Sequence, residues 1–443
     1  MFTTPRKAPL AACLAATFCL ASPLAAASIL HVVNCKDAGT GSLRDVITNS
    51  ANSGDTVVFD MASMNCSKIT LSQGISIEAA DLVLAGPGAG ALTVSGNNSG
   101  RVFGIFGAGS HALTVSGLTI SDGYLAGSGG CIQAGNLTLT NSVVTNCTAL
   151  APPNTLAFGG AISAASLTLT NSIISNNYAQ VEAGGTTTYA EGGGAYVAHD
   201  ATIISSTISN NSATQRGGGL MVLGKLALSG STLSNNAAGT GGGAAGIAGA
   251  PAATISNTTF SGNYALTCGA ISLGGSASIN NSTIAFNTAR NTTYAGVTLA
   301  GGICAGPMLT IESSIVANNS SGLGSTPMPS DLSAPAGATI SGNHNLIMAT
   351  LAGTTAPADT LTADPMLGTL TNNGGPTFTH ALLPASPAID AGCADTAMVD
   401  DQRGSGYPRV WGHTADIGAY EAGDPASGDV IFRAVFDELA CPP

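Results

Sequence analysis

Charged residues are scarce in this sequence. Asp, Glu, Lys and Arg make up 8% of its 443 residues, against about 25% in an ordinary globular domain. A globular surface needs more charge than this, whereas a repetitive surface can be covered with Ser, Thr, Asn and Gly. The balance is acidic, with 24 Asp and Glu against 12 Lys and Arg, which disfavours nucleic acid or an anionic membrane as a partner. The shortage of charge therefore favours a repeat protein.

Long apolar runs are also missing beyond the N-terminus. Two basic residues ending at Lys7 are followed by an apolar stretch to Leu24 and then by Ala25-Ala26-Ala27. This order is typical of a secretory signal peptide, so we predict that residues 1–27 are removed on export. A lipoprotein box ending at Cys13 is disfavoured because it would leave almost no apolar core. No later stretch has the roughly 18 apolar residues that a membrane-spanning helix needs.

Eight cysteines follow the predicted signal peptide. An even number in an exported chain indicates disulfide bonds. Proximity in the sequence predicts four pairs, although other pairings of the same cysteines stay open. The predicted pairs are Cys35 with Cys66, Cys131 with Cys147, Cys268 with Cys304, and Cys393 with Cys441.

One short pattern recurs from about Gly129 to Asn319. Each copy has Gly-Gly, a small or apolar pair, and an alternation of apolar and hydroxyl residues that ends in polar residues, often Asn-Asn. The copies align on Ser142, Ser172, Ser206, Ser231, Thr258, Ser282 and Ser314, with steps of 30, 34, 25, 27, 24 and 32 residues. An inexact period in this range is typical of a solenoid that absorbs insertions in one turn.

The alternation within each copy has a period of two, which predicts strands and not helices. A single copy cannot bury its apolar side, but stacked coils can, and stacking pairs their backbones in parallel. The sequence therefore predicts an all-β protein, a right-handed parallel β-helix. Asn, Ser and Thr at one offset should stack into hydrogen-bonded ladders, and the glycine runs should form corners where backbones approach closely.

Both ends of the solenoid have their own features. Ser42 and Asp45 form a capping box, and Leu43, Val46 and Ile47 make one apolar helical face. A short helix here would cap the first coil, whose open edge would otherwise invite aggregation. We predict an N-terminal cap with early coils at residues 28–128, regular repeats at 129–345, an irregular C-terminal cap at 346–423 and a tail at 424–443.

Several motifs resemble a known group. The opening Gly41-Ser42-Leu43-Arg44-Asp45, the repeats, and the closing motifs at residues 364–368, 372–377, 380–392, 401–404 and 416–421 resemble bacterial secreted right-handed β-helix proteins with a choice-of-anchor Q type C-terminal region. These proteins share the pectin-lyase-like fold. The resemblance covers nearly all of the chain after the signal peptide. It implies an exported protein, secreted or associated with the cell surface and outer membrane.

Few residues suit catalysis. A β-helical lyase needs carboxylates gathered on calcium, and a glycoside hydrolase needs paired carboxylates. Glu182 and Glu191 are the best pair in the repeats, but both lie in one long predicted turn, where solvated side chains are the preferred interpretation. The densest acidic set is in the C-terminal region. Its residues, Asp390, Asp400, Asp401, Asp416 and Glu421 with His380 and Arg403, suit either a calcium or catalytic site or, as we prefer, turns held by hydrogen bonds and ion pairs.

Two function classes remain. We favour a non-catalytic binding module of the adhesin type, and the alternative is a polysaccharide lyase or glycoside hydrolase, since a fold does not decide a function. No cofactor and no metal site are predicted. The expected partner is an extracellular glycan or a surface protein, and we expect a monomer.

The segments of variable length between repeats are the predicted binding face, because insertions in solenoids collect on the side that meets partners. They are predicted to be turns, and they contain a disproportionate share of the tyrosines. A tyrosine in an exposed turn offers a rigid plane with a polar end, although it could equally serve to pack its own loop. The predicted binding residues are Tyr124, Tyr178, Tyr189, Tyr264, Tyr294, Glu182, Glu191, Arg216 and Arg290.

Overall fold

The predicted parallel β-helix is confirmed. A computed structural model describes residues 27–78, 81–105, 111–184, 189–247, 252–290, 293–294, 297–322, 327–393 and 398–423. These residues form a parallel β-solenoid of about 11 turns. The predicted signal peptide before residue 27 and the predicted tail at 424–443 lie outside the described residues.

Three sheets run the length of the solenoid. The long sheet has 20 strands, two in most coils: Ile29–Val32, Thr56–Phe59, Ile75–Ile77, Asp81–Ala85, Phe103–Ile105, Ala112–Ser116, Ile132–Thr140, Ile162–Thr170, Ala195–Val197, Ala201–Ile204, Leu220–Val222, Leu226–Ser229, Ala245–Ile247, Ala253–Ser256, Ile271–Leu273, Ala277–Asn280, Ile303–Cys304, Met308–Glu312, Leu332–Ser333 and Thr339–Ser341. The eleven-stranded sheet has Lys68–Thr70, Thr93–Ser95, Thr119–Ser121, Val143–Thr145, Ile173–Ser175, Thr207–Ser209, Thr232–Ser234, Thr259–Ser261, Thr283–Ala285, Ile315–Ala317 and Leu346–Ile347.

The nine-stranded sheet occupies the segments that the sequence predicted to be turns. Its strands are Tyr124–Ala126, Thr148–Ala151, Tyr178–Val181, Ser212–Ala213, Ala237–Ala238, Tyr264–Ala265, Thr288–Ala289, Ser320–Ser321 and Met328–Pro329. The prediction of turns was wrong for the start of each segment, because two to four residues there still pair with the neighbouring coil. Three smaller pairs are Leu156–Phe158 with Tyr189–Glu191, Thr293–Tyr294 with Val297–Thr298, and Leu367–Thr371 with Thr379–Leu382.

Apolar side chains at alternate positions of the strands fill the interior of each coil. In the coil that begins at Ile162, the side chains of Ile162, Ala164, Leu167, Leu169 and Ile174 are buried in the continuous core, while the other residues of the strand Ile162–Thr170 are half-buried. Successive coils pair in register, so that Leu137 lies beside Leu167. Like residues therefore stack on like residues through the core, as the repeat predicted.

The two asparagines of each Asn-Asn pair have different roles. The first, such as Asn176 or Asn210, has a positive φ and turns the chain, a conformation that Asn tolerates better than most residues. The second points inward and forms a buried ladder through Asn177, Asn211, Asn236 and Asn319, joined by Asn263 and Asn287, which follow Gly262 and Phe286. Each Nδ2 donates to the Oδ1 of the next coil at 2.8 to 3.0 Å.

The hydroxyl residues used to align the repeats form a second ladder. Ser172 Oγ accepts a hydrogen bond from Ser142 N at 3.0 Å and donates to Thr170 O at 2.7 Å. Ser206 repeats both contacts one coil further. The predicted stacking of polar residues is therefore confirmed, and it satisfies buried backbone groups at the corners.

The short N-terminal helix caps the first coil, as predicted. Leu43–Asp45 is α-helical and continues as a π-helical turn, Val46–Ser50, and a further helical turn follows at Met61–Met64. Asp45 N donates to Ser42 Oγ at 3.2 Å, which is the predicted cap. The apolar face made by Leu43, Val46 and Ile47 is buried in the core.

The C-terminal region is irregular, as predicted, but it lies along the flank of the solenoid. Thr232 Oγ1 donates to Phe378 O at 2.6 Å, and Ala419 N donates to Thr283 Oγ1 at 3.0 Å. Residues 367–393 and 398–423 thus cover the outer face of the eleven-stranded sheet over several coils. This arrangement hides hydroxyl rows that the sequence pattern placed on the surface.

Three of the four predicted disulfide bonds are confirmed: Cys35 with Cys66, Cys131 with Cys147, and Cys268 with Cys304. Each connects segments one coil apart or within one coil. The partner proposed for Cys393 is Cys441, which lies outside the described residues.

Candidate functional site

Three of the predicted tyrosines share one row of the nine-stranded sheet. Tyr124, Tyr178 and Tyr264 occupy the same register position in three different coils, and they are 39%, 40% and 38% exposed. Such similar exposure indicates a common outward orientation, since the next residue in each strand alternates to the inside. We define the tyrosine row as Tyr124, Thr148, Tyr178, Ser212, Ala237, Tyr264, Thr288 and Ser320.

The other members of the row were not singled out from the sequence. Thr148 and Ser212 flank Tyr178 on the neighbouring coils, with side chains that are half-buried. The signal that could have found Ser212 is its place directly after a ladder asparagine, which six of the eight row members share, whereas Thr148 follows Cys147. The row is therefore a strip of tyrosine and small, mostly hydroxyl-bearing side chains.

Tyr189 lies on the other layer of a small lobe. Two neighbouring coils form this lobe. Its first layer is the strand pair Thr148–Ala151 and Tyr178–Val181, and its second layer is the pair Leu156–Phe158 and Tyr189–Glu191. The two layers enclose a cluster of small side chains: Ala149, Ala151, Ala157, Ala179, Ala190 and Ala213. Because Ala190 points into this cluster, Tyr189 points away from it and also away from Tyr178. The structure therefore does not bring Tyr189 into the tyrosine row.

The charged residues of the predicted site are dispersed. Glu191 is buried, and its Oε1 forms an ion pair with Arg216 Nη2 at 2.6 Å, one coil away. Glu182 is exposed near the tip of the lobe, so the two glutamates do not form a pair. Arg290 is exposed, two residues after the row member Thr288, and the side chain of Tyr294 lies outside the described residues.

The asparagine ladder ends in a carboxylate. Asp331 Oδ1 accepts hydrogen bonds from Asn319 N and Nδ2 at 2.9 and 2.8 Å, whereas its buried Oδ2 has no hydrogen-bond partner within the described part of the chain. A cavity of about 210 Å³ lies beside it, lined by Asn318, Asn319, Ser320, Pro327, Pro329, Asp331 and Met348. Burial raises the pKa of Asp331 to about 6.

We expect Asp331→Asn to stabilise the protein at neutral and higher pH. The pKa of Asp331 is raised on folding, so the folded state favours the protonated form and wild-type stability falls as pH rises from about 4 to about 6. At pH 8 the variant should be more stable by roughly 3 kcal/mol, and below about pH 4 the difference should vanish. Urea denaturation across this pH range measures it.

Glu182→Gln is the matched control for Asp331→Asn, because it removes the same charge from an exposed position. It should leave the pH dependence of stability unchanged. An Asp331→Asn protein with the pH profile of wild type would contradict the assignment of this buried carboxylate.

Buried charges in the C-terminal region form ion pairs with one another. Asp401 Oδ2 accepts from Arg403 Nε and Nη2 at 2.9 and 2.7 Å, which confirms the prediction that this pair holds a turn. Arg409 and Glu421 form a second buried pair at 2.9 Å. Burial raises the pKa of Glu421 and of the neighbouring Asp416. These ion pairs stabilise the C-terminal region that covers the eleven-stranded sheet, and their charged groups are buried away from solvent.

No group of three or more His, Cys, Asp and Glu side chains is arranged to hold a metal ion in the described ranges. Those ranges also contain no helix that is long and apolar enough to cross a membrane.

Fold and site together define a disulfide-bonded parallel β-solenoid with an exposed aromatic row on one sheet and a covered flank on another. No protein-family model matches the chain, and no curated protein matches it significantly.

Proposed function

We propose that this protein is an exported, non-catalytic binding protein of the bacterial cell surface, secreted or associated with the outer membrane. Its C-terminal region would be of the choice-of-anchor Q type, and its partner would be an extracellular glycan or a surface protein. The observation that carries the proposal is the tyrosine row, where three aromatic side chains of equal exposure occupy one register position. Aromatic rings with a polar end are favoured at recognition surfaces.

Replacing row tyrosines should abolish partner binding without affecting stability. We expect the double variant Tyr124→Ala with Tyr178→Ala to lose binding on a glycan array and to intact cells. Its melting temperature should stay within about 2 °C of wild type, since solvent-exposed positions contribute little to the core. Tyr189→Ala is the matched control, with similar exposure on the opposite layer of the lobe.

Two outcomes would contradict this proposal. A fall in melting temperature with unchanged binding would make the tyrosines packing residues. Equal loss of binding in the Tyr189→Ala control would show that the row has no special role.

A further inference from the structure

The spacing of the tyrosine row is set by the solenoid itself. Hydrogen-bonded strands lie about 4.8 Å apart, so Tyr124 and Tyr178, two coils apart, are separated by about 10 Å along the axis. Tyr264 is three coils beyond Tyr178, or about 14 Å. A ligand that contacts all three tyrosines must therefore be long, extended and parallel to the solenoid axis.

The side chains between the tyrosines are suited to hydrogen bonding. Over the described residues, the hydroxyl groups of Thr148 and Ser212 form no hydrogen bond with the protein, and both belong to the row. Free hydroxyls on either side of the exposed ring of Tyr178 can donate to or accept from a ligand. The row therefore alternates ring surface with hydroxyl groups, which matches a ligand that also has flat apolar faces and hydroxyl edges.

Charge narrows the class of ligand further. The row contains no Asp, Glu, Lys, Arg or His. The chain as a whole has a formal net charge of −12. A polyanion such as a polyuronate would be repelled by this field and would meet no cation among the row residues themselves. The exposed Arg290 lies two residues after Thr288, in the coil beyond the last tyrosine. An uncharged polymer carries no such penalty.

We propose that the tyrosine row binds one uncharged, linear β-1,4-linked polysaccharide chain, laid parallel to the solenoid axis with one hexose to each coil. A β-1,4-linked chain is extended, and each hexose advances it by a length close to the rise of one coil. The rings of Tyr124, Tyr178 and Tyr264 then stack on the first, third and sixth sugars. An α-1,4-linked chain curls and leaves the row after a few sugars. This inference rests on the proposed binding function and names its ligand.

Calorimetric titration tests the proposed match of one hexose to each coil. The ligands are β-1,4-linked oligosaccharides of glucose, N-acetylglucosamine and mannose, two to eight residues long. Affinity for one of these series should rise between two and three sugars, when Tyr124 and Tyr178 are both reached. It should rise again between five and six, when Tyr264 is reached, and then level off. Each step should be about tenfold, the contribution of one aromatic contact.

Tyr264→Ala is the decisive variant. It should remove the step between five and six sugars and leave the affinity for the trisaccharide unchanged, while Tyr189→Ala should preserve both steps. A melting curve checks that each variant is folded.

The possible failures separate the inference from the proposed function. Affinity that rises smoothly with length overturns the inference. So does tighter binding of α-1,4-linked or acidic oligosaccharides of the same lengths, titrated in the same way. If no oligosaccharide binds but the row variants still lose binding to cells, the ligand is a protein and only the inference is wrong. If the row variants lose nothing, both proposals are wrong.

Discussion

Replacing Asn236 with Leu should cost about 4 kcal/mol of unfolding free energy, because at least two buried polar groups lose their partner. Asn236 Oδ1 accepts from Asn211 N at 3.1 Å and from Asn211 Nδ2 at 3.0 Å, and its Nδ2 donates to Ile208 O at 2.9 Å and to Asn263 Oδ1 at 3.0 Å. Leu has a similar volume but supplies none of these four bonds. Urea denaturation followed by circular dichroism measures the loss.

A second substitution at the same position separates hydrogen bonding from packing. Asn236→Asp keeps the acceptor for Asn211 but loses the two hydrogen bonds that Asn236 Nδ2 donates. The variant should therefore be less stable than wild type at neutral pH. Its stability should recover as the pH falls and the carboxyl group regains a proton. Recovery follows because this buried carboxylate, like that of Asp331, is favoured in its neutral form.

Gln180→Leu is the control for the ladder, since Gln180 is exposed on the outside of the nine-stranded sheet. It should change the unfolding free energy by no more than about 0.5 kcal/mol. If Asn236→Leu also changes the unfolding free energy by no more than about 0.5 kcal/mol, the ladder does not hold the coils together.

Replacing Gly218 with Ala should cost about 3 kcal/mol or more, because the added methyl group has no room. A Cβ atom at Gly218 would overlap the carbonyl group of Ala237 in the adjacent coil. These are backbone atoms held in a hydrogen-bonded sheet, so they cannot rotate aside and the coils must separate. A fall in melting temperature and in the urea midpoint reports the effect.

The chain offers two glycines for comparison with Gly218. A Cβ at Gly90 would meet no atom within 4 Å, so Gly90→Ala should be tolerated to within about 1 kcal/mol. A Cβ at Gly246 would lie 3.0 Å from the flexible end of Met221, and Gly246→Ala should fall between the other two. Equal stability of all three variants would refute the view that glycine is required where coils meet.

Local patterns predicted much of this fold. The alternation of Leu and Thr defined strands because one face of each strand must be buried, and the recurrence of that alternation defined a solenoid. The cap at Ser42 followed from hydrogen bonding within four residues. Three disulfide bonds followed from proximity in sequence, because in a solenoid positions within one coil or one coil apart in the chain are also neighbours in space.

Features that depend on contacts between coils were predicted less accurately from the sequence. It treated the two asparagines of each pair alike, although one turns the chain at Asn210 and the other, Asn211, is buried in the ladder. It assigned Tyr178 to a turn, because a strand of only a few residues gives too short a pattern to be distinguished from a loop. It also grouped Tyr189 with Tyr178, since nothing local shows that the lobe has two layers.

The sequence by itself determined that this chain is a parallel β-helix, because period-two alternation repeated at solenoid spacing has few other ways to bury its apolar residues. Tertiary structure alone decided which outer surfaces remain open. The C-terminal region covers Thr232 and Thr283 through hydrogen bonds between residues more than 130 positions apart, and no periodic signal specifies such a docking. Among the described residues, those at 367–393 and 398–423 pack on the eleven-stranded sheet, so they leave the tyrosines of the nine-stranded sheet exposed.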